Sequence, residues 1–198
     1  MTVKISTRGG ALLSVHVPDA HGVLTNVLHG GLANGGIHLL PAPGRALHRL
    51  AWHAVPLVED ASVGVRLVSP GAPAVVAIYR LDDANALTLH CEVALQAPAT
   101  LCLPICFNPG EHRLRVSGDG EHPRSVSELP ATARYLAGED GLRAVLLLAD
   151  GLAGRQLELA GDLASLRAST SEIPGCLLLE PALAAPGGEV AFRFSAQA

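Results

Sequence analysis

The feature that most constrains this chain is a strict alternation over residues 86–96. There Leu87, Leu89, Cys91, Val93 and Leu95 interleave with Thr88, His90, Glu92, Ala94 and Gln96. A period of two describes an extended strand with one face in a core and the other half wet. An apolar run over residues 75–81 precedes it across the turn Asp82-Asp83-Ala84-Asn85. A third run, residues 63–68, precedes that one across Ser69-Pro70-Gly71-Ala72-Pro73. Turn residues between short apolar runs predict consecutive antiparallel strands, so this stretch is expected to form a meander.

The same reasoning predicts strands over residues 12–17, 23–29, 51–58, 100–107, 113–117, 143–148, 155–160, 176–180 and 190–195, with Phe192 and Phe194 pointing inward. Helical periodicity is nearly absent. The expected fold is all-β, an antiparallel β-sandwich with few or no helices, in a single domain over residues 1–198. Two stretches resist a strand reading. Residues 30–49 are rich in Gly, Pro and His, and residues 119–140 are polar and carry Pro123 and Pro130, so both are expected to be long loops with at most a helical turn.

With 49% hydrophobic and 16% charged residues the chain has the apolar content to build a core. Only 3% of the residues are aromatic, so Leu, Val and Ala must fill that core. Few rings and a formal charge of -4 argue against nucleic acid as a partner. Residues 1–5 lack the charged-then-apolar pattern of a leader and no apolar run spans a bilayer, so a cytoplasmic chain without a membrane partner is expected. Cys91, Cys102, Cys106 and Cys176 include no C-x-x-C pair and are read as buried thiols. His38, His48 and His53 lack regular ligand spacing, so neither a metal nor another cofactor is expected. Gly30-Gly31-Leu32-Ala33-Asn34-Gly35-Gly36 has neither a phosphate-loop nor a dinucleotide-turn order.

Many short passages follow one family in order. Gly10-Ala11-Leu12-Leu13-Ser14-Val15-His16-Val17-Pro18-Asp19, then Gly22 and Thr25-Asn26-Val27-Leu28, resemble the opening hairpin of the aldose 1-epimerases, the galactose mutarotase-like proteins. Gly35-Gly36-Ile37-His38-Leu39-Leu40-Pro41-Ala42-Pro43-Gly44-Arg45 resembles the family's "GG-I-P-L-L-F-P-x-x-G-R" passage, and Trp52 with Val55 its "W-x-V" strand. Val65 to Pro70, Tyr79-Arg80-Leu81, Asn85 to Leu89, Phe107-Asn108, Gly154 to Leu159, Cys176 to Pro181 and Pro186 to Glu189 continue in family order. The resemblance spans nearly the whole chain and implies a galactose mutarotase-like supersandwich. It also implies a shortened member, with material missing mainly between Arg45 and Trp52 and between Pro123 and Arg143.

Mutarotation needs a base to take the proton of the anomeric hydroxyl while an acid protonates the ring oxygen. The resemblance puts the base at Glu180, in Cys176-Leu177-Leu178-Leu179-Glu180-Pro181; the alternative is a solvent-facing glutamate where a strand exits before Pro181. The acid position departs from the family, because Pro104 stands where the family has a histidine three residues before the phenylalanine matched by Phe107. Proline can neither donate nor relay a proton. His90 and His112 are sequence neighbours of the site, read as lying on a wet strand face and a polar turn. His48, in Leu47-His48-Arg49, stands in for the family's second histidine, with an ordinary surface histidine as the other reading. Arg45 matches an arginine that binds sugar hydroxyls, or is a loop arginine.

Three functions fit. The first is an isomerase of the aldose 1-epimerase type in carbohydrate metabolism, acting on a hexose or its phosphate, with Glu180 as base and His48 or water as acid. The second is a divergent isomerase or cyclase in which a lone Glu180 handles a less polar substrate, since Pro104, Ile105 and Cys106 favour apolar ligands. The third is a non-catalytic carbohydrate-binding or assembly module that kept the sandwich after the acid was lost. The expected partner is a small-molecule ligand, a sugar before others.

Overall fold

A computed structural model describes residues 1–18, 21–28, 47–71, 74–93, 105–106, 111–116, 124–125, 132–136, 142–149, 155–161, 163–170, 177–183 and 187–196. The described elements are strands, apart from one 3-10 turn at Leu47–Arg49. In chain order the strands are β1 Thr2–Ile5, β2 Leu12–Pro18, β3 Leu24–Asn26, β4 His53–Glu59, β5 Ser62–Val68, β6 Val75–Asp82, β7 Ala86–Val93, β8 Ile105–Cys106, β9 Glu111–Val116, β10 Arg124–Ser125, β11 Thr132–Leu136, β12 Leu142–Ala149, β13 Arg155–Gly161, β14 Leu163–Thr170, β15 Leu177–Leu183 and β16 Gly187–Ala196. The all-β expectation is met.

The expected meander forms the clearest part of the largest sheet, which has nine strands in the order β10-β9-β12-β13-β16-β7-β6-β5-β4. Along β7, Leu87, Leu89 and Cys91 are buried while Thr88 and His90 are half-buried, as alternation requires. Asn85 closes the turn before β7 with φ of 59°, a left-handed conformation that Asn tolerates, and Asp82 Oδ1 accepts from the Ala86 amide at 2.8 Å. At the far edge β4 carries Pro56, whose missing N–H is tolerated on a terminal strand and discourages further strand addition.

Two smaller sheets are present, β1-β2-β3 and β11-β14-β15-β8. Strands β14 and β15 pack on β12 and β16, and β2 packs on β16, so the inner faces meet in one continuous core. Leu12, Val15 and Val17 enter it from one small sheet, Leu166, Ala168 and Leu179 from the other, and Leu67, Tyr79, Leu89 and Phe192 from the large sheet. Trp52, Tyr79 and Phe192 are its aromatic members among the described residues, so Leu, Val and Ala fill most of it. Each fully buried Leu or Val contributes about 1.5–3 kcal/mol relative to an exposed one. The side chain of Phe194 lies outside the described residues.

Two expectations are corrected. The stretch 119–140 is not only loop, because it contains β10 and β11. Strand β11, Thr-Ala-Arg-Tyr-Leu within a polar stretch, takes its register from β14, with Thr132 opposite Ser169 and Leu136 opposite Ser165. Strands β1 and β14 were also not expected. Strand β14 is hidden because Leu163 and Leu166 both point inward although three positions apart; a register shift between Leu163 and Ser165 leaves Ala164 as the extra residue of a β-bulge. Of the stretch 30–49, the described residues form the 3-10 turn, while 29–46 lie outside the description.

Candidate functional site

Strand β15 does not end at Glu180 but runs on through Pro181 to Leu183. Leu179 and Pro181 are buried on its core face, and Leu178 and Glu180 lie half-buried on the opposite face. Among the described residues strand β8 pairs with Leu178 and Leu179, the two positions before Glu180. On the other side Glu180 is the register partner of Arg167 in β14.

Arg167 Nη1 lies 3.2 Å from Glu180 Oε2, with the arginine side chain 54% exposed and the carboxylate 20% exposed. The backbone register continues the row to Arg134 of β11. Among the described residues Arg167 is the polar partner of Glu180, so the carboxylate is neither free in bulk water nor sealed in an apolar pocket. A pair this accessible contributes at most about 1 kcal/mol to stability, so its main consequence is orientation. Arg167 was not singled out in the sequence because it sits on the strand whose alternation the bulge breaks.

His48 is half-buried in the 3-10 turn, and Arg49 Nε donates to its Nε2 at 3.3 Å. The Leu50 amide closes the turn on the Leu47 carbonyl at 3.2 Å, and three further bonds hold it in place. The Trp52 indole N–H donates to the Leu47 carbonyl at 3.2 Å, the Gly9 amide to the Leu50 carbonyl at 2.8 Å, and the Trp52 amide to the Thr7 carbonyl at 2.8 Å. Gly9, with φ of +72°, lies so close that an added Cβ would stand 2.6 Å from the His48 Cα. No hydrogen bond or ion pair joins His48 to Glu180 among the described residues. Arg45 and Pro104 lie outside the described residues, as do the side chain of His112 and those of the cysteines other than Cys91.

His90 stands on the wet face of β7, its Nε2 3.2 Å from Glu92 Oε1 and its Nδ1 4.0 Å from Glu189 Oε2. Exposure of these groups makes this a solvated polar cluster. On the inner face, a half-open cavity of about 330 Å³ lies between β1 and strands β4 to β7, lined by Val3, Ile5, Val65, Leu67, Tyr79 and Leu87 among others. Neither Glu180 nor His48 lines it. Among the described residues lining it Tyr79 is the one titratable group, and that hydroxyl is already engaged, donating to the Gly10 carbonyl at 2.8 Å. Among its described residues the cavity therefore offers mainly apolar surface, with no free acid or base.

The sequence matches no family model and no curated protein. Solved structures do share the fold. The protein HI1317 superposes with a TM-score of 0.73 at 15% identity, covering 98% of this chain and 88% of its own. A GalM/aldose epimerase homologue from C. elegans gives 0.68 at 14% identity over 98% of this chain and 95% of its own. A galactose mutarotase related enzyme from Lactobacillus acidophilus gives 0.62 at 8% identity over 99% and 94%. This chain has a divergent galactose mutarotase-like β-sandwich fold, as its ordered run of short motifs implied. No described helix is long and apolar enough to cross a membrane.

Proposed function

We propose that the chain is an aldose 1-epimerase-like isomerase that opens and recloses the ring of a hexose or a related small polar molecule, with Glu180 as the base. One observation carries this reading. The carboxylate that the family pattern assigns to proton abstraction is half-buried beside Arg167, on the strand face turned away from the core, where a polar ligand can reach it. Glu180 takes the proton of the anomeric hydroxyl as the bond from the anomeric carbon to the ring oxygen breaks, and the ring oxygen takes a proton from His48 or water. The carbonyl turns, and the reverse steps give the other anomer. Arg45 is assigned to sugar hydroxyls on the family resemblance alone. The reading implies a soluble, cytoplasmic protein with a sugar as its small-molecule partner and no cofactor.

The less polar substrate has less support, because the partner seen at Glu180 is a guanidinium and the apolar cavity lies elsewhere. NMR exchange spectroscopy on glucose, galactose and their 6-phosphates tests the reading. Catalysed anomerisation should fall about 100-fold or more in Glu180→Gln, the range expected for loss of a general base. Equal rates in the parent protein and Glu180→Gln would overturn it, as would no acceleration of any of the four sugars.

A further inference from the structure

We infer that Arg167 is a positioning residue that holds Glu180 by Oε2 and so presents Oε1 as the oxygen that receives the substrate proton. The inference rests on the proposed role of Glu180 and adds a residue to it that the family pattern did not supply.

Geometry supports a positioning role in three ways. Arg167 and Glu180 are register partners on adjacent antiparallel strands, so their Cα positions are fixed by the ladder rather than by a flexible loop. The core faces of the same strands, with Leu166, Ala168 and Leu179 almost fully buried, pin both backbones and leave the side-chain torsions as the remaining freedom. A single contact from Nη1 to Oε2 at 3.2 Å then restrains the carboxylate from one side. A carboxylate gripped by one oxygen keeps its other oxygen for a proton. The wide exposure of Arg167 makes the pair a poor source of stability, so its removal is expected to show in catalysis before it shows in folding.

The test compares Arg167→Met, Arg167→Lys, Glu180→Gln and the double variant Glu180→Gln/Arg167→Met by exchange NMR, with urea denaturation as the folding control. A positioning residue affects the chemical step, so Arg167→Met should lower kcat about 10–100-fold with KM nearly unchanged. Arg167→Lys, which keeps the charge but not the planar fork, should recover part of that loss. The double variant should be no slower than Glu180→Gln alone, because the arginine acts through the glutamate.

A loss in Glu180→Gln with none in Arg167→Met would overturn the inference and leave the base intact. A rise in KM at constant kcat, or a further loss in the double variant, would also overturn it by showing direct contact with substrate. Equal rates in the parent and Glu180→Gln would remove both the base and its positioning partner.

Discussion

The Tyr79 hydroxyl donates to the carbonyl oxygen of Gly10 at 2.8 Å, a bond that spans 69 residues and is buried at both ends. It ties the turn before β2 to the middle of the large sheet. Tyr79→Phe keeps the ring and its packing but leaves the buried Gly10 carbonyl without this donor. The cost is expected to be about 1–3 kcal/mol, the penalty for a buried unsatisfied acceptor, read as a lower midpoint in urea. A midpoint equal to that of the parent would show that water or a shifted backbone satisfies the carbonyl.

Cys91 lies on the same inner face as Tyr79, and burial pushes its thiol from 9.0 up to about 12. Burial, reinforced by Cys91, pushes the Tyr79 hydroxyl up as well. Both groups hold their protons more tightly folded than unfolded, so the folded state binds more protons at alkaline pH. Their contribution is fully present below the unfolded values and is lost as pH rises. Stability is therefore expected to fall from about pH 9 toward pH 12 as the unfolded thiol ionises and the folded one does not. Cys91→Ala should flatten part of that slope in denaturation series at fixed pH. An unchanged slope would remove Cys91 as its source.

The bulge in β14 gives a sharper test of the fold. Leu163 is 4% exposed and Ala164 is its exposed neighbour. Simple alternation counted back from Leu166 would put Leu163 on the wet face. Because the bulge turns Leu163 inward, Leu163→Ala should cost about 2–5 kcal/mol, as a core truncation does, while Ala164→Ser should be nearly neutral. The opposite ranking would mean a regular strand and a different register against β15.

That strand also shows where sequence reasoning stopped. The meander of β5, β6 and β7 was legible because alternation and turn chemistry agree, with Asn85 taking the left-handed position the turn needs. Strand β11 was not legible, because five residues set between polar segments give too short a run to stand out before they pair with β14, and β14 was not, because the extra residue Ala164 breaks the period of two. The site followed the same division. Glu180 was found through the collinear motifs, whereas Arg167 lies on the bulged strand and became visible only once the register set it opposite Glu180.

His48 depends on its turn, and the turn depends on Gly9. With φ of +72° and the His48 Cα and carbonyl oxygen 2.6 and 2.8 Å from where a Cβ would sit, Gly9 cannot accept a side chain without moving the 3-10 turn. The left-handed conformation alone costs a non-glycine residue about 1–2 kcal/mol. Relief of the clash must then displace backbone rather than a flexible side-chain tip. Trp52, the single tryptophan, donates its indole N–H to Leu47 at the start of that turn. Gly9→Ala is therefore expected to change the Trp52 emission and to lower the urea midpoint together. If His48 is the acid of the proposed reaction, the variant should slow anomerisation while leaving the Arg167 to Glu180 pair undisturbed. An unchanged emission spectrum would show that neither the turn nor His48 leans on Gly9.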